Sequence, residues 1–253
     1  MGTFAVTGSA GGIGGAIKAR IESEGHRVIG VDVRDATIEA DLATADGRQA
    51  AIRAISDTAG PALDGLVLCA GLGPTAPSAV IAEVNYFGAI ELLDGLRDTL
   101  EQATNPAVVA ISSNSVGTVP PDDLSLVGPM LDNDREAAVA AAEEAHPAAV
   151  YAMSKLAVAR AVRRRAPTWG EAGIRVNAVC PGAVDTPLLQ ATLEDPELGE
   201  ATKDFPIPLG RRGTPDEIAE LVWFILGPHG SWMSGSVVFL DGGSDALIRP
   251  DAP

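Results

Sequence analysis

The chain predicts an α/β fold in which a doubly wound parallel sheet carries helices on both faces. Three observations support this. Short apolar runs alternate with helix-length segments along all 253 residues, the pattern that builds βαβ units. Some runs are apolar without interruption, such as LVLCA at 66–70 and AVVAI at 107–111, as a strand buried on both faces requires. The first run leads directly into a glycine-rich turn and then a helical pattern. No internal repeat or linker interrupts this order, so residues 1–253 are expected to form one domain.

Phe4-Ala-Val6 opens the sheet and runs into TGSAGGIG, Thr7 to Gly14; Ile17 and Ile21 then give helical spacing over Gly15 to Glu24. In that setting Gly8 allows a tight turn, Gly12 lets the backbone approach a pyrophosphate, and Gly14 lets helix and strand pack closely. The helix N-terminus points free amides at the phosphates. Strand, glycine turn and helix together indicate dinucleotide binding. The second strand, His26 to Val31, ends in Asp32, 18 residues beyond Gly14. A carboxylate there accepts from the adenosine ribose hydroxyls and repels a 2′-phosphate, which favours NAD over NADP. Arg34 stands nearby and works against that preference.

The acidic stretch 35–46 leaves room for a brief third strand near Ile38 to Ala40, with Asp41 and Leu42 placed to meet an adenine ring. A helix follows over Gly47 to Ala59. The fourth strand, Leu66 to Gly71, ends in Ala70-Gly71, where a ribose or nicotinamide can come close. Ile81 to Leu100 reads as one long helix containing Asn85. Helices disfavour an internal Asn unless it faces solvent or has a specific partner. Ala107 to Ser113 is the fifth strand, and serines at the carboxyl end of a parallel strand lie where open α/β sheets bind ligands. Ser112, Ser113 and Ser115 are candidates there.

The 37 residues between Ser113 and Tyr151 pass through Pro120-Pro121 to an alanine-rich stretch, helical from Arg135, and read as a lid or interface element. Tyr151 to Ala166 is a helix whose last turn, Arg163 to Arg165, complements the helix dipole. Tyr151 and Lys155, four apart, share one face of it, and a cation so placed favours the ionised phenol. Ile174 to Cys180 is the sixth strand, broken by Pro181-Gly182. Thr186 to Phe205 follows as a flap over a substrate, with Leu188, Leu189 and Leu193 on one face of a short helix. Pro215 to Leu226 is a helix with Thr214 as N-cap and Glu217 completing a capping box. Ser236 to Leu240 closes the sheet, and the tail RPDAP is short.

A net charge of −16 argues against a nucleic-acid partner and against an anionic membrane surface. No apolar run approaches the roughly 20 residues that span a bilayer, and the N-terminus lacks the features of a secretory signal, so a cytoplasmic protein is expected. Cys69 and Cys180 lie in apolar runs and read as free buried thiols, and the three histidines show no metal-ligand spacing.

In order and separation, TGSAGGIG, Asp32, Ala70-Gly71, Asn85 in VNYFG, Ser113, Tyr151-Ala-Met-Ser-Lys155, PGAVDT and LDGG resemble the short-chain dehydrogenase/reductase family over nearly the whole chain. The resemblance implies a Rossmann fold, no metal, and NAD as cofactor. The cofactor would be held by Gly8, Gly12, Ile13, Gly14, Asp32, Asp41, Leu42, Ala70, Gly71, Pro181, Gly182, Val184 and Thr186 together with Tyr151 and Lys155. It also implies four catalytic residues. Tyr151 would be the general acid/base, and Lys155 would lower its pKa and hold the nicotinamide ribose. Ser113 would hydrogen-bond the substrate oxygen, and Asn85 would seat a water in a proton relay. A phenol titrating near 10 must be lowered by roughly 2–3 units to act near neutrality, about 3–4 kcal/mol of differential stabilisation.

Two departures stand out. Leu68-Cys69 replaces the family's usual Asn-Asn, which removes a structural hydrogen bond. Ser113 precedes Tyr151 by 38 residues, far more than is usual, so residues of about 116–148 read as an insertion. This is expected to alter the family's helix-packed tetramer interface and leave a homodimer. The insertion, NYFG and the C-terminal run most resemble the bacterial hydroxysteroid dehydrogenase/carbonyl reductase branch, which implies a hydrophobic, steroid-like secondary alcohol or ketone as substrate. Two other readings stand beside it: the same chemistry on a terpenoid, aromatic or acyl ketone, and a non-catalytic dinucleotide-binding regulator.

Overall fold

Seven parallel strands make up the sheet of the computed structural model: β1 (Thr3–Thr7), β2 (Arg27–Asp32), β3 (Ile38–Glu39), β4 (Gly65–Leu68), β5 (Ala107–Ile111), β6 (Arg175–Pro181) and β7 (Val237–Leu240). They pair in the order β3-β2-β1-β4-β5-β6-β7, with registers such as Ala5 beside Leu66 and Val109 beside Asn177. The order reverses between β1 and β4, and the carboxyl ends of those strands open the crevice in which such sheets take ligands. The structure describes residues 1–120 and 122–251. Pro121 of the Pro120-Pro121 pair and the last two residues of the RPDAP tail lie outside the described residues.

Twelve α-helical segments are described. They are α1 (Gly12–Ser23), α2 (Ala45–Ala59), α3 (Ser78–Ala82), α4 (Ala89–Gly95), α5 (Arg97–Glu101), α6 (Val127–Leu131), α7 (Arg135–Glu143), α8 (Pro147–Glu171), α9 (Pro187–Glu194), α10 (Gly199–Lys203), α11 (Pro215–Leu226) and α12 (Ser244–Ile248). On one face of the sheet Ile17 and Ile21 of α1 pack with Ile218 and Val222 of α11 over Val6 and Val109. On the other, Ile55, Leu92, Leu93, Val158 and Val162 cover Ala5, Leu66 and Val108. Each such side chain contributes roughly 1.5–3 kcal/mol when fully buried. The helix starts follow local chemistry. Thr44 accepts from the Gly47 amide at α2, and Thr214 and Glu217 form the expected capping box at α11.

Several elements differ from the sequence reading. The long helix expected over Ile81 to Leu100 begins at Ser78, is π-wound over Glu83–Gly88, and breaks at Leu96 between α4 and α5. The fourth and fifth strands end at Leu68 and Ile111, not Gly71 and Ser113. The chain beyond them is held by other partners: the Cys69 and Ala70 amides donate to Thr7 Oγ1, and the Ser112 amide donates to the Val179 carbonyl. The helix carrying Tyr151 starts at Pro147 and runs through Pro167 to Glu171. Arg163 to Arg165 are therefore not its last turn. Arg165 pairs with Asp94 at 2.6 Å, Arg163 donates to the Gly235 carbonyl, and buried Trp169 anchors the extra turn. The insertion contributes a 3-10 turn at Asn114–Thr118 and helices α6 and α7, the second beginning at Arg135 as expected. Among the described residues no helix is long and apolar enough to cross a membrane.

Candidate active site

The glycine turn is built around two left-handed residues, Gly8 at φ 69° and Gly12 at φ 54°, a conformation that side chains disfavour. Gly14 has a different reason to be glycine: a Cβ there would lie 2.1 Å from the Gly8 carbonyl oxygen. In front of Gly12 a Cβ would meet only Thr186, at 3.7 Å. No side chain caps α1, and no acidic residue stands in its first turn, so its leading amides are available to an anion. Ile13 is half-buried in that turn. At the neighbouring strand end Asp32 receives the Ala10 amide at 3.0 Å and the Val33 amide at 2.8 Å. This open glycine turn with uncapped amides and a carboxylate at its lip fits a dinucleotide.

The residues expected at the adenine end are Asp41 and Leu42. Asp41 is exposed with one oxygen accepting from the Ala43 amide, and Leu42 is buried in the core with its carbonyl receiving Arg48 Nη1. On the other side of the crevice Ala70 and Gly71 follow β4, and Thr7 Oγ1 receives the Cys69 and Ala70 amides at 3.0 Å each. That hydroxyl pins the segment where the family's Asn-Asn is missing, a partner not anticipated from the sequence. Pro181 and Val184 are buried, and a Cβ on Gly182 would lie 2.7 Å from Asp241 Cα. Thr186 caps α9 by accepting from the Leu189 amide, which places the flap opposite the glycine turn.

The chemistry-bearing group sits at the ends of β4 and β5 and on α8. Tyr151 has its phenol beside the Ser113 hydroxyl. Ser113 is buried and also receives the Ser115 amide at 3.1 Å. Ser112 is turned away and donates to the Lys155 carbonyl at 2.8 Å, tying the strand end to the helix. Ser115 Oγ is buried without a partner among the described residues. Of the three candidate serines, only Ser113 is placed against the phenol. Lys155 Nζ donates to the Ile111 carbonyl at 3.0 Å. A Cβ on Gly71 would stand 3.1 Å from that ammonium and 3.3 Å from Asn85 Oδ1, so both groups converge on Gly71. Asn85 has the specific partner its helical position called for: Oδ1 accepts from the Leu72 amide at 2.8 Å, and Nδ2 donates to the Leu72 carbonyl and to Ser154 Oγ. Ser154 in turn donates to the Tyr151 carbonyl. Its part in the network had no signal in the sequence beyond its place inside Tyr-Ala-Met-Ser-Lys.

The Tyr151 phenol lies above its ordinary range because it is buried; the Ser113 hydrogen bond pulls it down, and the Cys180 thiol adds to the rise. The Lys155 ammonium is directed at a carbonyl, and burial pushes it down to about 8, opposed by the Cys69 and Cys180 thiols. Both cysteines are free. Cys180 is buried and Cys69 half-buried, and burial pushes them up to about 11 and about 12, out of the reactive range. Among the described residues no cluster could hold a metal ion.

A cleft of this kind can pass a hydride between a dinucleotide and a carbinol carbon while a phenol handles the proton, and it defines a dinucleotide-dependent oxidoreductase. Known proteins agree. The profile of the NAD dependent epimerase/dehydratase family matches residues 4–181, and the profile described as Enoyl-(Acyl carrier protein) reductase matches residues 136–245. The 3-alpha-hydroxysteroid dehydrogenase/carbonyl reductase of Comamonas testosteroni is 42% identical over 254 residues, 99% of each chain. A short-chain type dehydrogenase/reductase of Sinorhizobium fredii is 30% identical over 97% of this chain and 44% of that longer protein. The 3-alpha-hydroxysteroid dehydrogenase of Pseudomonas sp. B-0831, solved in complex with NADH, is 46% identical with a TM-score of 0.97 and covers 99% of this chain and 100% of its own. The chain belongs to the short-chain dehydrogenase/reductase family.

Proposed function

We propose that the chain is an NAD(H)-dependent oxidoreductase interconverting a hydrophobic secondary alcohol of steroid type and its ketone. The observation that carries this reading is the half-buried Tyr151 with its phenol against Ser113, one helical turn ahead of Lys155. The steroid class is supported by the two hydroxysteroid dehydrogenase relatives. It is also supported by the apolar flap, where Leu188 reaches within 3.0 Å of the place a Cβ on Gly73 would occupy.

The cofactor would lie with its diphosphate on Gly8, Gly12, Ile13, Gly14 and the first amides of α1, and its adenosine ribose on Asp32. Asp41 and Leu42 would border the adenine. Ala70, Gly71, Pro181, Gly182, Val184 and Thr186 would line the nicotinamide end. When bound, the nicotinamide supplies the carbon that accepts or gives up hydride. In alcohol oxidation Tyr151 Oη takes the hydroxyl proton, and in ketone reduction it returns one. Ser113 Oγ donates to the same oxygen, so the developing charge is held between two preorganised hydroxyls. Lys155 Nζ, with one hydrogen on the Ile111 carbonyl, keeps the others for the ribose and for a water seated near Asn85.

The two free thiols fit a reducing compartment, and we place the enzyme in the cytoplasm. We also assign it as a homodimer, because the inserted α6 and α7 pack on α8 and α3, over helices that tetramers of the family use to associate. Light scattering should give twice 25.8 kDa, and a fourfold mass would overturn the assignment. The function is tested by supplying NAD⁺ with a panel of secondary alcohols, 3α-hydroxysteroids first, and following NADH absorbance. Turnover is expected on the steroids. Turnover confined to terpenoid or aromatic alcohols would overturn the substrate class, and NADH binding without turnover of any alcohol would leave a regulator.

A further inference from the structure

Arg48 of α2 is fully buried and is not among the residues assigned to the site. Its Nε donates to Glu91 at 2.8 Å, and its Nη1 donates to the Leu42 carbonyl at 3.0 Å and to Glu83 at 3.1 Å. Nη2 has no partner among the described residues. The second oxygen of Glu83 receives Arg135 of α7, with Nε at 2.7 Å and Nη2 at 2.6 Å. One carboxylate therefore joins the core helix α2, the inserted segment and the first residue of the π-wound turn Glu83–Gly88. Asn85 stands two residues on, in the same turn.

A buried ion pair with an unsatisfied nitrogen is an expensive way to fill a core, and apolar residues of similar volume would pack there at lower cost. The π turn is itself a rare winding, found mostly at functional sites and in need of support. Both costs fall at the one place where a helix must turn a carboxamide out of its own axis and onto the Leu72 backbone.

We propose that Glu83 is a positioning residue for Asn85. Clamped between Arg48 and Arg135, its carboxylate keeps the turn π-wound and so aims the Asn85 side chain at Leu72 and Ser154, beside Lys155. Arg135 gives the inserted segment a hold on the site that it does not line. The catalytic consequence rests on the role proposed above for Asn85; the geometric one does not.

The Leu72 amide, which donates to Asn85 Oδ1, is the probe. In the protein without cofactor or substrate, Glu83→Gln should raise its hydrogen-exchange rate at least about tenfold, while the Val109 amide in β5 stays protected. Arg135→Ala should raise it several-fold less, since Arg48 remains. If Glu83→Gln does not fold, the paired variant Arg48→Met with Glu83→Met, which replaces the ion pair by apolar groups, carries the same expectation. In turnover, Glu83→Gln should lower kcat to the level of Asn85→Ala with KM for the alcohol unchanged, and the double variant should be no slower. An unchanged Leu72 amide in a folded variant would overturn the proposal, as would losses in kcat that multiply. An unchanged Leu72 amide in Arg135→Ala would remove the inserted segment from it. If Asn85→Ala keeps full kcat while the exchange result holds, the catalytic reading of Asn85 fails and the positioning stands.

Discussion

Replacing Lys155 by Met should make the protein more stable while removing its activity. Burial pushes the Lys155 ammonium from an ordinary 10.5 to about 8. Keeping it protonated in the folded protein at pH 7 therefore costs about 3 kcal/mol relative to the unfolded chain. Lys155→Met removes that cost at similar volume. It also leaves the Ile111 carbonyl without the donor now 3.0 Å away, a loss of about 1 kcal/mol. The net gain is about 2 kcal/mol, roughly 4–8 °C in Tm for a chain of this size. The pH dependence carries the sign. Between pH 8 and 10.5 Lys155 binds fewer protons folded than unfolded, so its cost to stability shrinks as pH rises, a recovery that the variant lacks. The advantage of the variant should narrow by about 2 kcal/mol between pH 7 and 9.5. Cys69 and Cys180, which burial raises from 9.0, and Tyr151, raised from 10.0, act in the opposite sense as pH passes those values, but they do so in both proteins and drop out of the comparison. Urea unfolding followed by circular dichroism at pH 7 and 9.5 measures both quantities. A variant no more stable than the native protein at pH 7, or a gap that does not narrow, would refute the reasoning and mean that the ammonium is not desolvated.

Asp32→Ala removes the carboxylate at the lip of the glycine turn. The ratio of kcat/KM for NADP to that for NAD should rise about tenfold or more, ~1.4 kcal/mol, and an unchanged ratio would take Asp32 off the ribose. Gly14→Ala drives a Cβ onto the Gly8 carbonyl and should lower stability by about 1–3 kcal/mol while abolishing the NADH fluorescence change; ordinary NADH binding would contradict the packing role.

Features whose meaning is local were legible before any coordinates. The Gly8–Gly14 turn, the strand ending in Asp32, the Thr214–Glu217 capping box and the four-residue step from Tyr151 to Lys155 are short patterns with one geometric solution each. Features decided by contacts between distant segments were not. Nothing local says that Thr7 Oγ1 will take the Cys69 and Ala70 amides, or that Asn85 will turn onto Leu72 and leave six residues π-wound. Pro167 reads as a helix breaker, yet Trp169 in the core carries the helix past it. The phenol shows the same limit. Spacing places Lys155 where it could lower the Tyr151 pKa, but it gives no sign of the desolvation, a property of the whole fold, that pushes the phenol up and the ammonium down.

The central claim is that Tyr151 moves the proton. Tyr151→Phe keeps the ring and deletes only the hydroxyl beside Ser113. Turnover of a 3α-hydroxysteroid with NAD⁺, followed by NADH absorbance, should fall by about 10²–10⁴-fold, the range of general acid–base catalysis, while NADH titrated by fluorescence binds as tightly as before. Retained turnover with intact NADH binding would remove Tyr151 from the chemistry.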